Sequence, residues 1–210
     1  MSNRVRVKYC GITNVENAVF AASLGVDAIG LVFYSKSSRN VEIAQASEII
    51  AVLPPFVSVV GLFVNSDKAE IERITTQVSL NILQFHGDES EEFCNSFSLP
   101  YMKAIRMAGN VDVLTEIERY NSASGILLDS YHEKQVGGTG DTFDWSLFPD
   151  STDRPIILAG GLNPANISDA ITATRPYAVD VSSGIESSKG IKDNTKMQRF
   201  MNEVNLLGSK

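Results

Sequence analysis

Residues 5–33 read VRVKYCGITNVENAVFAASLGVDAIGLVF. The first six, 5–10, are rich in β-branched and aromatic residues and read as a strand. Asn14 stands ahead of Val15-Glu16-Asn17 as a helix N-cap does, 14–25 is helix-forming, and Gly25 closes it as a C-cap glycine would. Residues 28–33 (Ala-Ile-Gly-Leu-Val-Phe) are again strand-like. Strand, helix and strand in this order form a βαβ unit, whose two strands lie parallel with a right-handed crossover.

The same rhythm runs through the chain. Further strand-like runs fall at 57–64, 82–86, 102–106, 125–129, 156–159 and 178–181, and helix-like segments at 43–53, 67–78, 89–97, 110–121, 163–174 and 192–206. Residues 144–148 amount to a turn or two. Ser66-Asp67 caps the segment that follows it, and Asn163 reads as an N-cap with Pro164 at the first helical position. Eight such units point to an α/β fold, a closed (βα)₈ TIM barrel forming a single compact domain over 1–210. At 210 residues the chain is short against the typical ~250, so insertions are few. An open doubly wound sheet competes, but it uses fewer strands, and no G-x-G-x-x-G follows the first strand here.

Composition narrows the function classes. The chain is 43% hydrophobic and 20% charged, an ordinary globular balance, and no stretch reaches the ~18 apolar residues of a membrane span. The start runs directly into a strand without an apolar h-region, so no secretory signal is expected. Cys10 and Cys94 make no disulfide framework, and a reducing cytoplasm is the natural setting. The net charge of −7 without a basic block argues against nucleic acid as a partner. The expected state is a monomer acting on a small molecule.

In a barrel of this type the active site lies at the C-terminal ends of the strands. The first strand ends in Cys10-Gly11. Alternation sets Lys8 and Cys10 on one face, and a cation beside a thiol favours the reactive thiolate. Read alone, Cys10 is a small buried hydrophobe, as most free cysteines are. Gln84 and His86 share a face of the fourth strand, and Leu127 and Asp129 share a face of the sixth. A polar group in a barrel interior is costly unless paired, which singles these positions out. Separately, each has a plainer reading: Asp129 as a turn or capping residue, His86 as a satisfied core histidine, Arg39 as a solvated charge. Gly160-Gly161 after the seventh strand and Ser182-Ser183-Gly184 after the eighth stand where this fold often binds phosphate. Gly137-Gly138-Thr139-Gly140, after Asp129, reads either as a flexible lid beside a catalytic residue or as a plain surface loop. With only His86 and His132 as histidines and no zinc spacing, no metal site is expected, and no nucleotide-cofactor fingerprint is visible. The expected chemistry is acid–base work by side chains.

Taken together, KYCGI (8–12), QFHG (84–87), LLDS (127–130), GGTGDTFDW (137–145), LAGGLNP (158–164) and VDVSSGIE (179–186) resemble the phosphoribosylanthranilate isomerases of tryptophan biosynthesis over nearly the whole chain. The resemblance implies a cofactor-independent Amadori rearrangement of an aminoaldose phosphate. It implies Cys10 as general base and Asp129 as general acid. Arg39 becomes an anchor for the anthranilate carboxylate, His86 and Asp180 pocket residues, and Gly161, Ser182, Ser183 and Gly184 the phosphate cradle. The chain departs from the family's usual Ser-Pro-Arg at Ser37-Ser38-Arg39, where the missing proline leaves the loop less restricted. Two other readings stand beside it. One is a sugar-phosphate isomerase or aldolase with Lys8 or Lys103 as Schiff-base lysine. The other is an inactive phosphate-binding barrel, which would be expected to have lost its base or acid.

Overall fold

The computed structural model describes residues 4–108, 111–130, 143–149 and 152–208. His132 and the glycine-rich segment 137–140 lie outside them.

Eight strands close into a parallel barrel in chain order: β1 (Arg6–Cys10), β2 (Ala28–Val32), β3 (Ser58–Phe63), β4 (Ile82–Phe85), β5 (Tyr101–Met107), β6 (Gly125–Ser130), β7 (Ile156–Leu158) and β8 (Ala178–Val181). The last strand pairs back to the first, with Lys8 opposite Asp180. Around the barrel run α1 (Val15–Ser23), α2 (Ile43–Ala51), α3 (Lys68–Gln77), α4 (Glu91–Cys94), α5 (Val113–Arg119), α6 (Ile167–Thr174) and α7 (Asn194–Gly208). A 3₁₀ turn, Trp145–Leu147, stands between β6 and β7.

Strand alternation sorts the side chains into two compartments. Outward residues such as Val7, Tyr9, Ile29, Leu31, Phe63, Phe85, Ile126 and Leu128 meet the helices in one continuous core. Inward residues fill the barrel: Val60, Met102, Ala104, Leu127, Ile157, Ala159 and Ala178 form one cluster. Cys10, Val32, Leu62 and Val64 form another, towards the C-terminal mouth. Tyr9 ties the barrel wall to the helix layer. Its hydroxyl donates to the Met197 carbonyl at 2.6 Å, and its ring meets Phe200 edge-on at 6.0 Å, so β1 carries α7.

The capping signals at Asn14 and Asp67 act as the sequence suggests, accepting the N–H groups of Asn17 and Glu70. The signal at Asn163 does not. Its carboxamide accepts from Ala165 N–H at 2.8 Å, a local bond that holds the chain in a turn, so the helix starts at Ile167 instead of 163. The segment 89–97 is helical only over Glu91–Cys94, after which the chain turns and brings Phe97 to 5.7 Å from Phe85. The helix read over 192–206 begins at Asn194. Lys192 belongs instead to a short antiparallel hairpin, β9 (Glu186–Ser188) with β10 (Ile191–Lys192), that the alternation did not signal.

Candidate active site

Cys10 ends β1 and is buried in the barrel mouth. The space for its thiol is made by Gly30, its register partner on β2. A Cβ there would fall 2.8 Å from Cys10 Sγ and 3.1 Å from Lys8 Nζ. Lys8, one pleat deeper, donates to Asp180 Oδ1 at 2.9 Å, and both partners are buried. Burial pulls the Lys8 ammonium down, but the Asp180 carboxylate and the Cys10 sulfur outweigh it, so its pKa rises above the usual lysine value. For Cys10 burial dominates and pushes the thiol up. Lys8 and Lys192 pull it back without prevailing, and Asp180 adds to the upward push. In the free protein the thiol form is therefore favoured, and the help Lys8 gives the thiolate is outweighed by desolvation.

Asp129, near the C-terminal end of β6, faces the mouth from the other side of the barrel, three strands from β1 through β7 and β8. His86 Nε2 lies 2.9 Å from its Oδ2, and Gln84 Nε2 lies 3.0 Å from His86 Nδ1. An amide NH₂ can only donate, so Nδ1 is the acceptor and the ring proton of neutral His86 sits on Nε2, aimed at Asp129. Among the described residues Gln84 Oε1 is buried without a hydrogen-bond partner. The chain around His86 is pinned from behind. Arg106 Nη2 donates to its carbonyl at 3.0 Å, and Glu89 accepts the next N–H, that of Gly87, at 2.9 Å. Lys103 bonds both Glu89 (2.8 Å) and the Gly87 carbonyl (2.7 Å).

Arg39 is buried, not a solvated charge. Its Nε and Nη2 grip Glu186 in a bidentate pair at 2.7 and 2.8 Å. Its stem crosses Gly11, where a Cβ would fall 2.5 Å from Arg39 Cδ and where φ is +73°, so glycine is demanded twice over. Lys192 completes the cluster, donating to Glu186 Oε1 at 2.9 Å and to the Ser182 carbonyl at 3.0 Å. Burial would raise the Glu186 carboxyl, but Arg39 and Lys192 together hold it below the usual carboxylate range. Burial brings the Lys192 ammonium below its ordinary value despite the pull of Glu186. Glu186 was visible in sequence only as the end of a motif. Lys192 carried no signal, because its burial depends on the hairpin.

The loops after β7 and β8 meet. A Cβ on Gly184 would fall 1.8 Å from the Leu162 carbonyl oxygen, and Gly160 and Gly161 both take positive φ, at 81° and 64°. Gly161, Ser182, Ser183 and Gly184 are half-buried along this shared rim. Asp180, from the end of β8, lies beneath it and is held by Lys8.

Neither lysine suits imine chemistry. A Schiff-base lysine must reach the substrate as a free amine. Lys8 is an ion-paired ammonium, and Lys103 alternates with the inward Met102 and Ala104, facing Glu89 and the Tyr120 ring.

The sequence profile described as N-(5'phosphoribosyl)anthranilate (PRA) isomerase matches residues 7–203. The N-(5'-phosphoribosyl)anthranilate isomerase of Pseudomonas syringae pv. tomato is 54% identical over 200 residues, spanning 95% of this chain and 97% of the relative. The crystal structure of the Thermotoga maritima enzyme superposes with a TM-score of 0.88 at 41% identity, covering 96% of this chain and 98% of that one. A phosphoribosyl anthranilate isomerase in complex with reduced 1-(o-carboxyphenylamino)-1-deoxyribulose 5-phosphate gives 0.85 at 40% identity, with the same coverage. With a buried thiol and a buried carboxylate across one barrel mouth, and matches of this extent, the chain belongs to the N-(5'-phosphoribosyl)anthranilate isomerase family.

Proposed function

We propose that this protein converts N-(5'-phosphoribosyl)anthranilate into 1-(2-carboxyphenylamino)-1-deoxyribulose 5-phosphate, with Asp129 as general acid and Cys10 as general base. The observation that carries the reading is the pair itself, a thiol and a carboxylate on opposite walls of one buried mouth beside two abutting glycine-bearing loops. Protonated Asp129 gives its proton to the furanose ring oxygen, and the ring opens to an iminium. Cys10 as thiolate removes the proton from C2, and the resulting enolamine tautomerises to the ketone. Acid and base need opposite protonation states at one pH, which their different surroundings must supply.

Arg39 is the anchor for the anthranilate carboxylate in this reading. Glu186 occupies one edge of the guanidinium and leaves the other for the ligand. Asp180 and His86 border the ribose, and Gly161, Ser182, Ser183 and Gly184 take the phosphate. No cofactor enters the scheme, and one copy of the chain supplies every group named. The free thiols of Cys10 and Cys94 suit a cytoplasmic setting, and among the described residues no helix is long and apolar enough to cross a membrane.

The test is a fluorescence assay with freshly generated phosphoribosylanthranilate. Wild-type protein removes the anthranilate-type fluorescence. Cys10→Ser and Asp129→Asn each lower turnover by about 10²-fold or more, the usual scale of acid–base catalysis. Near-normal turnover by either variant removes that residue from the mechanism, and an inactive wild type returns the protein to another sugar phosphate.

A further inference from the structure

We propose that Gln84 is a positioning residue for the acid step: its amide donates to Nδ1 and so holds His86 in the tautomer that donates to Asp129, and that tautomer decides which oxygen of Asp129 carries the proton. The inference rests on Asp129 acting as the acid.

The observation behind it is Gln84 Oε1, which has no hydrogen-bond partner among the described residues, on a fully buried side chain inside the barrel. An unpaired buried acceptor is destabilising, and an apolar residue of the same size would fill this space without that cost. Turning the amide over does not remove the deficit. Oε1 would then pair with a protonated Nδ1, and the amide nitrogen would be left without an acceptor. What differs is the far side of the ring. In the observed orientation Nε2–H meets Asp129 Oδ2 at 2.9 Å, a bond that the negative charge of the carboxylate strengthens. In the reversed orientation the Nε2 lone pair would face that carboxylate. Amide, imidazole and carboxylate thus form one coupled line: the Asp129 carboxylate sets its polarity, and the Gln84 amide, by donating to Nδ1, holds it.

The consequence lies at Asp129. With His86 donating to Oδ2 in both protonation states, the acid proton is confined to Oδ1. In the ring-opening step the Oδ1–H bond breaks and an O–H bond forms on the furanose oxygen. The ring C1–O bond breaks towards that oxygen as the anthranilate nitrogen lone pair forms C1=N. The carboxylate left behind keeps its bond from His86, and no proton on the imidazole has to move.

The tautomer can be read directly by long-range ¹H–¹⁵N correlation on protein labelled with ¹⁵N-histidine. The chain has only two histidines, and His132→Gln assigns them. Neutral His86 is expected as the Nε2–H form. The ionised carboxylate of Gln84→Glu presents Nδ1 with an acceptor only, so the ring stays doubly protonated to higher pH and favours ionised Asp129. Its kcat falls by about tenfold or more with KM within about threefold, and the descending alkaline limb of kcat moves to lower pH. Gln84→Met, of similar length and without a hydrogen bond to the ring, guards against a failure of the buried glutamate to fold. It gives mixed tautomers and a smaller loss of kcat. An Nδ1–H ring in the wild type overturns the proposal. So does Gln84→Met with mixed tautomers but wild-type kcat and pH profile, or a change confined to KM. The tautomer is read without turnover, so these outcomes are separable from failure of the Asp129 assignment, which Asp129→Asn reports.

Discussion

The Cys10 thiol is caught between two cations and a low-dielectric wall, and the wall prevails. Alkylation of Cys10 by iodoacetamide, followed peptide by peptide, should therefore titrate with a midpoint above the ~8.5 of an ordinary thiol. Lys192→Met should move that midpoint further up, because it removes one of the two cations that pull it down. A midpoint below 8.5 would mean that the cations win. Gly30 is the second single-residue determinant. Gly30→Ala forces Sγ aside and should cost about 1–3 kcal/mol in urea unfolding, as overpacking does, together with a lower kcat/KM. Unchanged kinetics would show that the thiol tolerates displacement. Cys10 and Asp129 stood out in the sequence because each is a reactive group at the end of an apolar strand. Gly30 did not, because what a glycine makes room for lies on the neighbouring strand.

The elements divide in the same way. Strand and helix order was legible from alternation, since each unit carries its own hydrophobic period and caps. The β9–β10 hairpin was not, since strands of three and two residues are too short to show an alternation. It nevertheless carries Glu186 and Lys192 to Arg39, and Lys196 at the start of α7 ties down the Glu186 carbonyl at 2.6 Å. Glu186 has its folded pKa depressed, so its contribution is present above the unfolded value near 4 and is lost as pH falls through the folded one. Glu186→Gln should lower Tm at pH 7 and flatten the fall of Tm between pH 5 and 3. An acid profile parallel to wild type would remove Glu186 as an acid-labile tie. Releasing Arg39 in this way should also raise KM for phosphoribosylanthranilate, as Arg39→Ala should more strongly. An unchanged KM in Arg39→Ala would leave the arginine a structural partner of Glu186 alone.

For the whole molecule, the decisive contact is the seam where β8 returns to β1. Lys8 and Asp180 face each other across it in register, buried and bonded at 2.9 Å. Lys8→Met leaves a buried carboxylate unpaired and should cost about 3–5 kcal/mol in urea unfolding, whereas Lys8→Met/Asp180→Leu should recover much of that loss. Equal destabilisation of the single and double variants would assign the cost to packing instead of charge. Closure is also what builds the site. Cys10 and Asp129 lie 119 positions apart in the numbering, and Arg39 and Glu186 lie 147 apart, yet each pair faces one mouth. The sequence by itself determined the alternation of strands and helices, the number of units and the polar residues at the strand ends. Those follow from local propensity and periodicity, which act over a few residues. Only the tertiary structure decided which charges neutralise one another, which way His86 is turned, and that burial outweighs two lysines at Cys10. Desolvation and pairing depend on neighbours that the closed barrel brings in from distant strands.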